Sequence, residues 1–352
     1  MSVIDNIKAF WKDFEQEQKG LLDALNNQNY EKLTEILDTL NSECNEISGA
    51  HFFIEDDPEQ PELTFDTGPN KTSQLICQQM KKLAPASIKK TWLINDTLTP
   101  LSQKAIEAVL QIKDVAYTLM DMTAFYTINP KAQNFEVQVY CPGFSLIDNP
   151  EYKREMAIYL IELAVGENCL ESYIGSADFL DAPIKDANLC NLCELYDVIM
   201  ETVQNEKWPE YKHPLDIYTV FKPHQDFASD SLRKDMKMIF TVNPPLIEET
   251  LGAKSDVQLD LKAKGGEYGY IYYVNLFDSK EDAALRQKLA TQIEALLAPL
   301  HCAKVIGGAI GKSYSYIDVV LFDQKMFGQV FAQIQSQLKD NVELHYRSFD
   351  QD

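Results

Sequence analysis

The stretch YGYIYYVNLF (Tyr268–Phe277) and its downstream counterpart SYSYIDVVLF (Ser313–Phe322) decide how the second half of this chain folds. Both are dense in tyrosine and β-branched residues, which suit a pleated, half-buried surface. Between them Ser279–Leu297 has helical spacing. Ser279, Glu281 and Asp282 stand at its start, where the helix dipole favours them. Cys302–Ala309 reads as a further strand, ended by a break at Gly311–Lys312. Lys325–Leu338 is helical and Val342–Tyr346 is a last strand. The order β-α-β-β-α-β is the split β-α-β arrangement of ferredoxin-like folds, an antiparallel sheet with two helices on one face. Its core spans 268–348.

Upstream, Ile217–Phe221, Met236–Val242 and Val257–Leu261 read as strands, and Asn243-Pro-Pro245 opens a short helix over Leu246–Leu251. The first half has the same α+β character. Short strands at His51–Ile54 and Leu63–Phe65, joined by the acidic run Glu55–Glu62, are followed by a helix at Ser73–Leu83, a strand at Thr91–Ile94 and a helix from Pro100 to Ile112. Tyr117–Ile128 and the alternating Phe135–Tyr140 form a hairpin, followed by a helix at Tyr152–Val165 and a strand at Cys169–Tyr173. The N-terminus carries two amphipathic helices, striped by Val3, Ile7, Phe10, Trp11 and Phe14 and then by Leu33, Ile36, Leu40 and Cys44. The expected organisation is a helical pair over 1–48 packing on a first α+β domain over 49–180. A joint over 181–213 then leads to a second α+β domain over 214–352.

Composition narrows the function classes. The 352 residues include 32 Lys+Arg and 54 Asp+Glu, a net charge of −22, with 45% hydrophobic residues. This is a globular composition, and the acidic surplus disfavours a broad surface for nucleic acid or anionic lipid, which need clustered cations. No stretch approaches the roughly 18–20 apolar residues of a membrane helix, and no signal peptide opens the chain. Seven scattered cysteines suit a reducing, cytoplasmic compartment. Cys190 and Cys193 have C-x-x-C spacing without the second pair a zinc ribbon needs, so they read as free thiols.

Gly307-Gly-Ala-Ile-Gly-Lys-Ser313 resembles a phosphate-binding loop but fails its spacing, since Ile306 stands where the first glycine belongs. A strand follows it where a helix is required, so a bulged hairpin is expected. Asp318 is a carboxylate within an apolar strand, with Lys304 and Lys312 near it in sequence as pairing partners. A structural role is the simpler reading, an acid–base or ligand role the sharper one. Five histidines show no metal-binding spacing. No nucleophile elbow occurs.

Several stretches resemble an uncharacterised family of bacterial proteins: FWKDFEQEQ (Phe10–Gln18), ELTFDTG (Glu62–Gly68), VYCPG (Val139–Gly143), AVGENCLESYIGSADFL (Ala164–Leu180), LRKDMKMIFTVNPPLIEE (Leu232–Glu249) and GGAIGKSYSYIDVVLFD (Gly307–Asp323). The similarity spans most of the chain, and its motifs are aromatics, glycines and turns. It implies an architecture and a bacterial source, and carries no activity. The acidic run EDDPEQPE (Glu55–Glu62) departs from that pattern.

The expected function is a non-catalytic cytoplasmic binding protein, an immunity- or inhibitor-like protein that captures a basic partner such as a toxin domain. Its contacts would be Glu55, Asp56, Asp57 and Glu59 of the acidic run, with Tyr268, Tyr270, Tyr272, Tyr314 and Tyr316 of the tyrosine-rich strands. No cofactor, metal, nucleic acid or membrane is implied. Two alternatives stand beside it. One is an enzyme or small-molecule binder with a cleft between the halves, using Asp318 or the cysteine pair. The other is a ribonuclease regulator acting by acidic mimicry of nucleic acid.

Overall fold

Ser2 begins the first helix with a reciprocal cap. Its hydroxyl accepts from Asp5 N–H, and the Asp5 carboxylate accepts from Ser2 N–H. The computed structural model describes residues 1–56, 60–223, 232–252, 254–277, 279–337 and 342–351, apart from the side chains of 103, 104, 279 and 351. The helices α1 (Val3–Asn26) and α2 (Tyr30–Ser48) are followed by β1 (His51–Glu55), β2 (Glu62–Asp66), α3 (Lys71–Leu83), α4 (Ala86–Thr91) and β3 (Leu93–Asn95). The long helix expected from Pro100 shrinks to α5 (Gln103–Glu107). Ala108 turns extended and leads into the hairpin β4 (Leu110–Ile112) and β5 (Val115–Tyr117). The hairpin β6 (Thr123–Asn129) and β7 (Asn134–Tyr140) leads to α6 (Pro150–Tyr173), which absorbs the segment Cys169–Tyr173 expected as a strand. Next come β8 (Ile174–Leu180), β9 (Asn188–Asn191), α7 (Leu195–Asn205), β10 (Thr219–Phe221), β11 (Met236–Thr241) and α8 (Pro244–Leu251).

The expected strand Val257–Leu261 is instead α9 (Asp256–Ala263). The Glu249 carboxylate accepts from Val257 N–H and fixes its first turn. Of its alternating apolar residues only Leu261 is buried, so the three-residue alternation was too short to specify a period. The chain closes with β12 (Glu267–Val274), α10 (Ser279–Leu297), β13 (Ala303–Gly311), β14 (Tyr314–Leu321), α11 (Gln324–Gln337) and β15 (His345–Ser348).

The chain divides into two compact units, one of Met1–Gly49, Lys71–Pro85 and Tyr218–Asp352, the other of Ala50–Asn70 and Ala86–Ile217. This grouping differs from the sequence boundaries. The N-terminal helices belong with the C-terminal sheet and not with the first α+β segment, and the expected joint 181–213 lies inside the second unit. Lys71–Pro85 also leaves the expected first domain for the unit of the C-terminal sheet. Physical links explain the first difference. Trp11 Nε1 donates to Met80 O of α3 at 2.9 Å, Ile4 N–H donates to Phe322 O at 3.4 Å, and Asn6 donates to Lys264 O. Phe10, Trp11 and Phe14 are buried there, each stabilising by roughly 1.5–3 kcal/mol.

In the first unit a six-stranded antiparallel sheet runs β10-β11-β13-β14-β12-β15. Ile271, Tyr273, Ile317 and Val319 of its central strands pack against Leu289 and Ile293 of α10 and Phe327 of α11. The second unit holds a three-stranded mixed sheet β1-β2-β3, a four-stranded mixed sheet β8-β7-β6-β9 and the β4–β5 hairpin. Phe135, Val137 and Val139 of β7 share its core with α6 and α7. The architecture is thus α+β with N-terminal helices and mixed sheets. Among the described residues no helix is long and apolar enough to cross a membrane.

Candidate functional site

Strand alternation puts Tyr268, Tyr270 and Tyr272 of β12 and Tyr314, Tyr316 and Asp318 of β14 on the sheet face opposite α10 and α11. The rings contact one another edge-on, Tyr270 against Tyr316 at 5.8 Å and Tyr272 against Tyr314 at 5.9 Å. Their accessibility corrects the expectation of a tyrosine docking surface. Tyr268 is 2% exposed and Tyr270 and Tyr316 are 0%, so these three offer no area to a partner. Tyr272 and Tyr314 remain partly exposed.

Arg233 lies over Tyr270 and Tyr316. Its guanidinium grips the fully buried Asp318, Nη1 to Oδ1 at 2.7 Å and Nη2 to Oδ2 at 3.4 Å. It also sits over the rings of Tyr270, Tyr316 and Phe349 at 4.8, 5.3 and 4.6 Å. The expected partners of Asp318, Lys304 and Lys312, serve elsewhere: Lys304 donates to Gln78, and Lys312 lies in the β13–β14 turn. Arg233 has φ +61, a conformation L-residues adopt at a cost. Its own N–H donates to Tyr316 Oη, which donates in turn to Asp235 Oδ1 at 2.8 Å. Asp235 Oδ2 accepts from Ser313 and Tyr314 N–H and so holds the hairpin turn. The glycine-rich run is therefore a hairpin, with a register shift between Val305 and Gly307. A Cβ on Gly308 would lie 2.2 Å from Tyr316 O, which explains a glycine there without any phosphate.

Beside this network opens a cavity of about 740 Å³, within the size range of small-molecule sites. The end of α8, the helix α9, the start of β12, the end of β15 and residues 232–236 wall it. Five cations line it: Arg233, Lys234, Lys254, Lys262 and Arg347. Among the described residues of the lining the carboxylates are Glu267 and Asp350. Leu251 and Leu259, 43% and 56% exposed, add apolar surface. The helix α9 does not present its N-terminus here as an anion site, because Glu249 already occupies Val257 N–H.

The electrostatics of the lining suit binding more than proton transfer. Asp350 accepts from Lys262 at 2.7 Å and from Ser348 Oγ. The Lys262 hydrogen bond, followed by that of Ser348, pulls the Asp350 carboxyl below its ordinary range, while Asp350 pushes the Lys262 amine above its own. A lysine held protonated beside a carboxylate held ionised is a poor acid–base pair near neutral pH. Tyr268 is tied by its hydroxyl to Thr72 and Asn243, and burial raises its pKa.

The second unit holds a different buried carboxylate. Within α6, Gly166 breaks the helix at φ +74, ψ +160, and Glu167 follows it. Its carboxylate accepts from Thr67 N–H at 2.8 Å, Thr67 Oγ1 at 2.6 Å and Gly68 N–H at 3.2 Å. Burial pushes its pKa up to about 8, against the lowering effect of these hydrogen bonds. The segments Glu62–Gly68 and Ala164–Leu180 thus meet through this one side chain.

The remaining expected contacts are scattered. Glu55 is buried at the end of β1, paired in register with Glu62, and Asp56 is exposed. Asp57 and Glu59 lie outside the described residues. Cys190 is in β9 and Cys193 in the turn after it. Burial raises both thiols, Cys190 to about 11, which keeps them from acting as thiolates. Among the described residues no group of three or more His, Cys, Asp and Glu side chains is placed to hold a metal ion. Neither protein-family models, curated proteins nor solved structures provide a match to this chain.

Proposed function

We propose that this protein is a non-catalytic binding protein that holds a small anion in the cavity beside α9. The observation that carries this reading is the reversal of charge: among the described residues five cations and two carboxylates line one cavity, on a chain of net charge −22. A general negative field repels anions, so a locally positive recess in it selects by charge and by shape together. At an effective dielectric near 20, one cation about 4 Å from an anionic group contributes roughly 4 kcal/mol before desolvation. This is the small-molecule reading of the sequence, moved to a recess within the C-terminal unit.

The strand order β13-β14-β12-β15 with α10 and α11 on one face supports describing this part of the unit as ferredoxin-like. Seven free thiols, six of them buried, support a reducing, cytoplasmic setting. The capture of a basic protein partner is a second reading. It rests on the net charge, with exposed Asp56 and partly exposed Tyr272 and Tyr314 as its contacts.

Isothermal titration with inorganic phosphate and with acetate, at low and at high salt, tests the first reading. Saturable binding that weakens with salt and weakens again in Lys254→Gln is expected. Equal binding of an uncharged analogue would contradict it.

A further inference from the structure

We propose that Glu167 is a proton-operated latch: protonated, it holds the turn after β2 against the break in α6, and on ionisation it releases that turn. The inference concerns the second unit and does not rest on the anion-binding reading. The latch has two anchored ends. On α6, Gly166 interrupts the helix, and the strap 98–101 brackets the break. Leu101 N–H donates to Leu163 O and Glu167 N–H donates to Leu98 O, each at 3.1 Å. On the other side, the amides of Thr67 and Gly68 both donate to Glu167 Oε1. Glu167 is 1% exposed, so water solvates neither form of its carboxyl while the turn is in place.

The Thr67 hydroxyl sets which form the closed turn prefers. Its Oγ1 stands 2.6 Å from Glu167 Oε2 and 3.2 Å from Gly68 O. Beside an ionised Glu167, Oγ1–H donates to Oε2, and with the two amides the carboxylate accepts three hydrogen bonds. Beside a protonated Glu167, Oε2–H donates to Oγ1, and Oγ1–H turns to Gly68 O. The two amide bonds remain, so the neutral form has one hydrogen bond more and no buried charge. The charged groups around it favour the same form. Glu162 of α6 and Asp66 of β2 are carboxyls, and both oppose a negative charge on Glu167. Asp96, ahead of the strap, lies against His213 Nε2 at 3.4 Å instead.

Ionisation therefore removes a hydrogen bond from the closed turn and leaves a charge there that water does not reach. Opening admits water to the carboxylate and relieves both. Closed, burial lets Glu167 keep its proton up to about 8, and open, it releases the proton near the ordinary 4.5. The closed turn is thus most secure below about 4.5, loosens as pH rises toward about 8, and changes no further above that.

Amide hydrogen exchange of the full chain from about pH 5 to about pH 9, corrected for the intrinsic rate at each pH, tests the latch. Protection at Thr67 and Gly68 is expected to fall by up to roughly tenfold per pH unit until about 8 and to level off there. Val137 in the core of the second unit is expected to stay better protected at every pH, which marks the opening as local. Glu167→Gln is expected to remove the slope at Thr67 and Gly68. Thr67→Val, which cannot pass the hydrogen bond on to Gly68 O, should end the slope at lower pH, and Thr67→Ser should restore it. Protection in the wild type that does not change with pH, the same slope in Glu167→Gln, or protection at Thr67 equal to that at Val137 would overturn the inference.

Discussion

Asp318 and Glu167 are both buried carboxylates, one in each unit, and the molecule accommodates them by opposite means. Asp318 in β14 meets a guanidinium whose other contacts are three aromatic rings. Among the described residues the hydrogen-bond partners of the Glu167 carboxylate in α6 are a threonine hydroxyl and two amides, with no cation. An ion pair in a dry interior must be complete, because removing one partner leaves the other buried and uncompensated. A carboxyl surrounded by hydrogen-bonding groups and apolar atoms has the other route of taking up a proton, which is why burial moves Glu167 to about 8. The two units therefore respond differently to mutation and to pH.

The largest expected effect is at the ion pair. Asp318→Asn leaves the Arg233 charge buried and is expected to cost about 3–5 kcal/mol, read as a lower midpoint in urea unfolding monitored at the sheet tyrosines. Arg233→Met combined with Asp318→Asn is expected to recover part of that loss. If the double variant were as unstable as the sum of the two single ones, the pair would not be acting as a unit.

Gly166→Ala comes next. It forces a side chain onto φ +74 and brings a Cβ within 2.8 Å of Leu98 O and Pro100 N. A loss of about 1–3 kcal/mol is expected. Because the break also aims Glu167, hydrogen exchange at Thr67 and Gly68 amides should quicken in this variant. Unchanged exchange there would separate the glycine from the clamp.

Glu167→Gln is expected to change stability little at low pH, where Glu167 is itself protonated, and to leave the variant progressively more stable than the wild type as pH rises toward about 8. The folded pKa of Glu167 is raised, so the folded chain keeps a proton that the unfolded chain releases near 4.5. Its contribution is most favourable below about 4.5, declines as pH rises toward about 8, and is level above that. The slope in that window reaches about 1.4 kcal/mol per pH unit. Glu167→Gln should flatten it, and the same slope in wild type and variant would assign the effect to another group.

The same contrast explains how much of this molecule was legible in its sequence. The N-terminal stripe of Phe10, Trp11 and Phe14, the hairpin around Gly311–Lys312 and the C-terminal order of strands and helices follow from local periodicity, and all of them stand in the structure. Val257–Leu261 did not, because two alternations cannot distinguish a strand from a turn of helix whose start is fixed by Glu249. The grouping of α1 and α2 with the C-terminal sheet was hidden, because contacts such as Asn6 to Lys264 join residues 258 apart. The cavity was hidden for the same reason. Its cations come from four separate segments, and Arg233 lies 85 residues from Asp318. The tyrosines were visible as a cluster, but a cluster on one strand face says nothing of what lies over it. The clue that sequence did hold was LRKDMKMIF, where Arg233 and Lys234 interrupt an acidic chain just ahead of a strand.

The most direct measurement of the central claim is a crystal structure of the full chain with inorganic phosphate bound. The account predicts phosphate density in the recess beside α9, within hydrogen-bonding reach of its lysines. Density at another site, or an empty recess at saturating ligand, would contradict it.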